Sequence, residues 1–509
     1  MLLIEAGPRF IGADAFPPEL RYGALLSAMM PEHPHNWGAV ATLRPGVRQP
    51  NPRGRVVGGS SALNGTIFTR GLPEDFDGWA SQGNPEWSYE RVLPYFKKLE
   101  ADQDFNDPYH GAEGPIPVRR AGGSEWVPID HTFVAACREA GFPDDPDMNG
   151  PRSIGVGALP VNNVGGIRMN TAITYLDAAR DRSNLSVRDG ALVLRVLLDG
   201  NNATGVEVKC AGKIFRVAAG EVIISAGAIR SPQLLMLSGI GSAQELQRVG
   251  ITVKHESPLV GREFTDHCSF RIPFRVTKRR SPVPNPTKSA WAHAAMHFTS
   301  EASAGHSDMM FIQSSIPTND SILYGASLLT RLKMLRSMAG KISLPKLYNF
   351  ARSGWDHGLT CIMQQDASRG EIRLSSAEPD KNPELYYHYL ESATDCRRLR
   401  DAARLAVRLI DSAPYRELGA KRAEPGDAIL GSDALLDKYL MDHLGTSMHM
   451  ASTCRMGPSA ESAVVDQYCR VHGIDRLRVV DSSIMPVVVR RCPAATAVMI
   501  GERAAGFFS

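Results

Sequence analysis

The residues best suited to moving a proton crowd into the last sixty of this chain. His449 opens the run His-Met-Ala-Ser-Thr-Cys-Arg-Met-Gly over residues 449–457. An apolar strand follows, then the turn Leu477-Arg478-Val479-Val480-Asp481-Ser482-Ser483-Ile484-Met485-Pro486. Arg490-Arg491, Cys492 and a closing helical run from Ala494 to Phe508 complete the segment. A histidine takes a proton near neutral pH, and a helix N-terminus holds an anionic or electron-rich ring. A base, a strand-end acid and a polarised helix end therefore share one short stretch. An isolated histidine is more often a hydrogen-bonded core residue. Arg490 and Arg491 read at least as well as exposed loop arginines as they do as ligands for an acidic molecule.

The elements that must position these groups are legible at both ends of the chain. Met1-Leu2-Leu3-Ile4 is a short apolar run ending in Glu5 and then Gly7-Pro8, the pattern of a buried parallel strand entering a loop. An acid at such a strand end is what a dinucleotide fold uses to bind a ribose diol. Residues 53–71 are rich in Gly and small polar residues, Ser60, Asn64, Gly65 and Thr66 among them, and let backbone N–H groups approach a ligand closely. A helical pattern runs from Tyr89 to Leu99. Residues 185–227 alternate as strands broken at Asp199-Gly200 and Ala211-Gly212, as hairpins do. The last of them runs through Ala226-Gly227 to Ser231-Pro232, near which a helix starts. Residues 269–440 mix strands such as Phe270–Val276 and Gly370–Leu374 with loops and Met-rich helices. They are expected to form a second domain, inserted between a first domain at 1–268, with cap segments near 70–165, and its return at 441–509. Met309-Met310 to Ile312 and Met334 to Met338 fit an ordinary apolar core better than an access route.

Composition narrows the class. A chain of 509 residues exceeds one core, and 43% hydrophobic with 22% charged residues is ordinary for a globular protein. The net charge of +3 comes without a basic stripe interleaved with aromatics, which argues against nucleic acid. No Cys-x-x-Cys pair occurs among the eight cysteines, so no metal site is expected, and single cysteines fit a reducing compartment. With no signal peptide and no run near the ~18 apolar residues of a membrane span, a cytoplasmic protein is expected.

Three segments, taken together, resemble the glucose–methanol–choline (GMC) family of flavin-dependent alcohol oxidoreductases. Residues 53–71 are similar to the family's first signature, and Gly-Ala-Ile-Arg-Ser-Pro-Gln-Leu-Leu-Met-Leu-Ser-Gly-Ile-Gly at 227–241 to its second. Residues 449–501 resemble its C-terminal block. Val260-Gly261 leading to Asp266-His267, and Ser368-Arg369-Gly370-Glu371-Ile372-Arg373-Leu374, are smaller matches in the same order. The resemblance implies an α/β (α+β) fold: a discontinuous Rossmann-like FAD-binding domain, with a substrate domain built on an antiparallel sheet packed by helices. It implies that Glu5 holds the adenosine ribose and that Asn64, Gly65, Thr66 and Ile67 line the flavin and pyrophosphate, with Ser60 in the same loop. Val193 would meet the adenine through its backbone, and Asp481 and Ser482 would lie by the pyrophosphate and flavin edge. Some members attach FAD through a histidine just before that asparagine; Leu63 stands there, so non-covalent FAD is expected. His449 is then the expected catalytic base for oxidation of a primary or secondary alcohol, with oxygen, a quinone or another redox carrier accepting the electrons. The second catalytic position, usually His or Asn, falls at Cys492, whose thiol donates hydrogen bonds only weakly; it is assigned to the site wall.

The front of the chain departs from this pattern. The family's Gly-rich turn, which cradles the FAD pyrophosphate at a helix N-terminus, has no counterpart before Glu5. The expectation is a native chain with about thirty further residues ahead of Met1, the rest of a βαβ unit. The competing expectation is a truncated, flavin-free homologue acting as a scaffold or binding protein.

Overall fold

Where the sequence alternates around residue 190, the chain forms an antiparallel meander. The computed structural model describes residues 1–508 apart from 302, 304–306, 326–332, 334–335, 337, 339 and 354–355. In it Ala191–Asp199, Asn202–Cys210 and Lys213–Ala218 pair in that order. Gly200 and Gly212 take φ of 57° and 77° at the two turns, a conformation that glycine adopts without strain. Two parallel pairs accompany the meander: Leu2–Ile4 with Ser186–Arg188, and Val222–Ile224 with Leu477–Val479. Glu5 and Asp481 lie just beyond the carboxyl ends of strands in these pairs, the place where parallel α/β sheets bind ligands.

The helix after Val222–Ile224 begins at Gly227 and runs to Leu237, so Pro232 lies inside it rather than at its start. A proline has no N–H for the carbonyl four residues back. That carbonyl, on Ala228, accepts instead from the Thr453 hydroxyl at 2.7 Å. The segment after His449 is thereby pinned to this helix.

A second sheet holds, in order, Lys421–Arg422, Cys268–Arg275, His357–Met363, Met309–Ser314, Ala292–Phe298 and Gly155–Ala158, with Gly445–Thr446 also on Cys268–Arg275. All its pairings are antiparallel. Helices Pro128–Glu139 and Ala393–Ile410 pack on it. The longer helix is capped by Ser392, whose side chain accepts from the Asp395 N–H, and it buries Leu399, Ala402, Ala403, Ala406 and Ile410 along one face. This is the expected antiparallel, helix-covered sheet, but its strands reach outside 269–440: Gly155–Ala158 and Gly445–Thr446 join it. Met309 packs into the main core, while Met310 and Ile312 face a smaller apolar cluster that includes Leu159, Val161 and Ile362 and touches Ile67. The first methionine stripe is therefore core on both faces. Of the second, Met338 is buried and Met334 lies outside the described residues.

A third sheet runs Arg262–Phe264, Gly370–Arg373, Glu384–Tyr386, Ala39–Arg44 and Val47–Asn51. Asn51 ends one strand, Tyr387 directly follows another, and Asp266 comes two residues after a third. The sheet thus delivers three polar side chains, far apart in sequence, to one place. Among the described residues no helix is long and apolar enough to cross a membrane.

Candidate active site

Three segments are stitched together around His449. Thr265 and Ala451 exchange both backbone hydrogen bonds at 3.2 and 2.9 Å, and the Thr265 hydroxyl accepts from the Val488 N–H at 2.9 Å. Asp266, 2% exposed, sits at the centre. Its Oδ1 accepts the backbone N–H groups of His267 (2.6 Å) and His449 (2.8 Å). Its Oδ2 accepts the hydroxyls of Thr446 (2.9 Å) and Tyr387 (3.0 Å). Tyr387 in turn bonds Asn51, whose oxygen accepts from Arg53 at 2.7 Å. Burial raises the Asp266 pKa, opposed by these hydrogen bonds and by Arg53, and the four donors engage both of its oxygens. Asp266 is therefore a fastener that fixes the backbone under both histidines. Met448, just before His449, has φ 64°, a conformation a non-glycine residue holds only where its surroundings impose it.

The two imidazoles meet at Nδ1, 2.9 Å apart, with ring planes at 88°. Burial holds the His449 imidazole well below its usual pKa, and repulsion from His267 and Arg53 adds to this. Burial takes His267 down to about 3, against the pull of the Val489 and Gln364 carbonyls. Both rings are neutral at pH 7, so one Nδ1 donates and the other accepts. With His449 as donor, its Nε2 keeps an unshared pair, which is the form a general base needs. Cys492 is 6% exposed, and burial pushes its thiol up to about 11 despite the nearby Thr69 hydroxyl. It is a buried, neutral thiol. Arg490 and Arg491 are not exposed loop arginines: they are 9% and 0% exposed, and Arg490 is paired with buried Asp75 at 2.8 Å.

The residues expected to hold a cofactor form two groups. Around Glu5, the carboxyl accepts the Gly7 N–H at 2.8 Å, and burial raises its pKa to about 7. A Cβ at Gly7 would lie 2.0 Å from the Arg55 carbonyl, so only glycine lets the two loops touch. The Glu5 carbonyl also accepts the N–H of Ala191, two residues before Val193. The Ser60 hydroxyl accepts from Gly54 at 3.1 Å, and Asn64 Oδ1 accepts from the Thr66 N–H at 3.1 Å. Arg168, wholly buried, locks this loop by donating to the carbonyls of Ala62 and Asn64 at 2.9 and 2.8 Å. Gly65 has open space where a Cβ would be. In the second group both Asp481 oxygens are already engaged, by Ser483 N–H and by Gly227 N–H with the Ser231 hydroxyl. Asp481 therefore ties the helix N-terminus to the strand end, leaving Ser482 and the backbone to face outward.

A polar partner such as FAD fits this arrangement. Thr66 and Thr496 are 0% exposed, yet neither hydroxyl has a hydrogen-bond partner among the described residues. Thr496 lies in the first turn of Ala494–Ala505, where N–H groups also lack partners. Buried polar groups of this kind are normally completed by a bound group or water. At the covalent-attachment position Leu63 is packed in an apolar cluster with Leu20, Val56 and Val57.

Family profiles described as GMC oxidoreductase match residues 38–269 and 366–501. An uncharacterized GMC-type oxidoreductase of Rhodococcus erythropolis is 34% identical over 505 residues, covering 99% of this chain and 92% of that protein. The chain belongs to the GMC oxidoreductase family. An oxygen-dependent choline dehydrogenase of Rhizobium johnstonii is 34% identical over 520 residues, covering 99% of this chain and 90% of its own. Among solved structures, pyridoxine 4-oxidase from Mesorbium loti superposes with a TM-score of 0.84 at 27% identity, covering 99% and 93% of the two chains. A formate oxidase structure gives the same TM-score at 22% identity and likewise shares the fold. The protein is thus an FAD-dependent enzyme acting on CH–OH donors, with the α/β cofactor domain and sheet-based substrate domain of its family.

Several residues of the site were not visible in the sequence. Asn51 and Tyr387 carry no motif, and Asp266 was legible only within the smaller family match from Val260-Gly261 to Asp266-His267, without a role. His297, 0% exposed in the strand Ala292–Phe298, was missed because every residue of that strand is buried and alternation gives no cue. A separate cluster also escaped notice: Glu100, Asp102 and His110 converge with ligand atoms within 4.8 Å of one another, although no metal site was expected. Arg70 and Arg120 pair with its carboxylates, which balances the charge a cation would otherwise supply.

Proposed function

We propose that this protein oxidises a primary or secondary alcohol to an aldehyde or ketone, with His449 as the general base. The observation that carries the reading is the Nδ1–Nδ1 contact of 2.9 Å between His449 and His267, above the Asp266 carboxylate that holds both backbones. His267 accepts the His449 Nδ1–H, and the unshared pair on His449 Nε2 takes the hydroxyl proton of the alcohol. Bound FAD supplies the acceptor for the hydride leaving the same carbon. Arg53 holds Asn51, Asn51 holds Tyr387, Tyr387 holds Asp266, and Asp266 keeps the base from drifting. Such orientation matters because misplacing reacting groups by an ångström costs rate steeply.

In this reading Glu5 binds the adenosine ribose and Val193 meets the adenine through its backbone. Ser60, Asn64, Gly65, Thr66 and Ile67 line the flavin and pyrophosphate, with Ser482 and the Asp481 turn at the flavin edge. Thr66 and Thr496 gain the hydrogen bonds they lack. Attachment is non-covalent, because Leu63 offers an alkyl group where a nucleophile would be needed.

The test is an alcohol panel with FAD-saturated protein, read by oxygen uptake and by reduction of an artificial dye. Alcohol-dependent turnover with at least one acceptor is expected, and it should fall about 10²–10⁴-fold in His449→Ala. An FAD-loaded protein inert to every alcohol with both acceptors, or one indifferent to loss of His449, would end the proposal.

A further inference from the structure

Two arginine side chains are wholly buried among the described residues, and they are built differently. Arg168 spends its N–H groups on carbonyls: Nε on Asn64, Nη1 on Glu19, Leu20 and Ala62, and Nη2 on Gly23 and Leu25. It is a finished staple. Arg491 also finds only neutral acceptors, but an incomplete set. Nη1 reaches the Gln364 side-chain oxygen (3.3 Å) and its neighbour's carbonyl (2.6 Å). Nη2 reaches the Ser153 carbonyl (2.8 Å) and the hydroxyls of Ser153 (3.2 Å) and Ser307 (3.1 Å). Its Nε–H has no partner among the described residues. The nearby carboxylates are spoken for: Asp75 is held by Arg490, and Asp145 accepts the Ser153 hydroxyl at 2.7 Å. A buried guanidinium without a direct counter-ion is costly unless something supplies the missing charge.

What lies beside it points the same way. Gln364 accepts from Arg491 through Oε1 and donates through Nε2 to the Met310 sulfur at 3.5 Å. Met310 is the register partner of His297 and faces the apolar cluster that touches Ile67. Directly paired residues share a face of a sheet, so His297 lies on that same face. It is 0% exposed and neither ring nitrogen has a partner among the described residues. Burial, and then repulsion from Arg491, keeps the ring neutral, with one N–H to give and one unshared pair to receive. The Gln364 carbonyl in turn faces the ring of His267, the neighbour of His449. An orphan guanidinium N–H and an orphan imidazole therefore border the proposed reaction centre on its substrate-domain side.

We infer that Arg491 and His297 form an anion subsite, and that the alcohol this enzyme takes carries a carboxylate on the same small carbon skeleton. This rests on the alcohol-oxidation reading above. The carboxylate accepts the Arg491 Nε–H and the His297 N–H, and supplies the negative charge the buried guanidinium lacks. Gln364 holds the guanidinium in place. The subsite is selective, because a neutral amide or ester of the same shape leaves the charge uncompensated.

The experiment uses the FAD-loaded full chain in two arms. The first compares short hydroxy carboxylates with their amides and methyl esters. The acids are expected to lead in kcat/KM by tenfold or more, and that lead should shrink at least tenfold in Arg491→Gln. The second measures, by titration calorimetry, the binding of the matching alkanoates, which have no hydroxyl to oxidise. Binding to the wild type that weakens at least tenfold in His297→Phe supports the subsite, even should Arg491→Gln fail to fold. If no alcohol of either charge is turned over but alkanoates bind in this Arg491- and His297-dependent manner, the oxidation reading fails and the subsite stands. Neutral alcohols equal to or better than the acids, together with no alkanoate binding, would overturn the inference.

Discussion

The molecule buries histidines in two settings that treat the same side chain in opposite ways. His110, buried at 5% exposure, lies 3.0 Å from Asp102 and from Asp147 and 3.2 Å from Glu100, with Arg70 and Arg120 completing the cluster. Burial opposes its charge, but hydrogen bonds to Asp102, Asp147 and Glu100 outweigh it and push its pKa up to about 11. Around His449, His267 and His297 no carboxylate touches a ring nitrogen; Asp266 reaches two of these residues only through backbone N–H groups. Burial then wins, and all three stay neutral. Burial alone does not decide protonation; the availability of acceptors at ring distance does. The first cluster is a charge-paired fastener. The second keeps a lone pair in reserve.

The sharpest way to break this contrast is to exchange the two effects. His449→Ala should lower kcat/KM about 10²–10⁴-fold with little change in the urea midpoint. His110→Ala should leave the kcat of the folded fraction near wild type while costing about 3–5 kcal/mol of stability, the usual penalty for removing one member of a buried ion cluster. Activity assays and urea titrations on both variants check this together. If His110→Ala lost turnover without losing stability, the division between fastener and base would be wrong.

Acid and alkali sharpen the contrast further. The His267 pKa is depressed on folding, so its neutral burial stabilises the protein above the unfolded value of about 6.5 and that stability drains as pH falls toward about 3. Between pH 7 and pH 5 the loss amounts to about 2 kcal/mol for one such histidine. His267→Asn should therefore show a correspondingly smaller drop over that interval in urea titrations. His110 runs the other way: its raised pKa gives stability that is fully present below about 6.5 and lost as pH climbs toward 11. An equal acid decrement in wild type and His267→Asn would refute the neutral assignment.

These clusters also show where sequence reading stops. The helix Tyr89–Leu99 was legible because Val92, Phe96 and Leu99 fall on one face, and all three are buried. The meander was legible because Asp199-Gly200 and Ala211-Gly212 announce its turns. His449 and the residues of its block were legible as a linear motif, and so was the family. The support beneath His449 was not, since Asn51, Asp266 and Tyr387 meet only when three strands of one sheet end together. For a related reason the sequence left Arg491 open between an exposed loop residue and a ligand for an acidic molecule: its burial is decided by acceptors such as Ser153, Ser307 and Gln364 that lie far away in sequence. Local pattern encodes elements, whereas long-range hydrogen bonding encodes charge states.

Cys492 offers the mildest test of the comparison, because it follows Arg491 directly in the chain without belonging to either cluster's hydrogen-bond framework. Burial raises its pKa to about 11, so at pH 8 the thiol is protonated, weakly polar and a poor nucleophile. A residue of that kind shapes the wall and donates at most one weak hydrogen bond toward the substrate oxygen, a contribution of about 0.5–1.5 kcal/mol. Cys492→Ala should accordingly reduce kcat/KM by no more than about tenfold, and iodoacetamide should label the position slowly at pH 8. A loss as deep as that of His449→Ala would mean that the thiol, and not the imidazole pair alone, holds the reacting oxygen. The reserve of the second cluster would then have to be shared between a nitrogen and a sulfur.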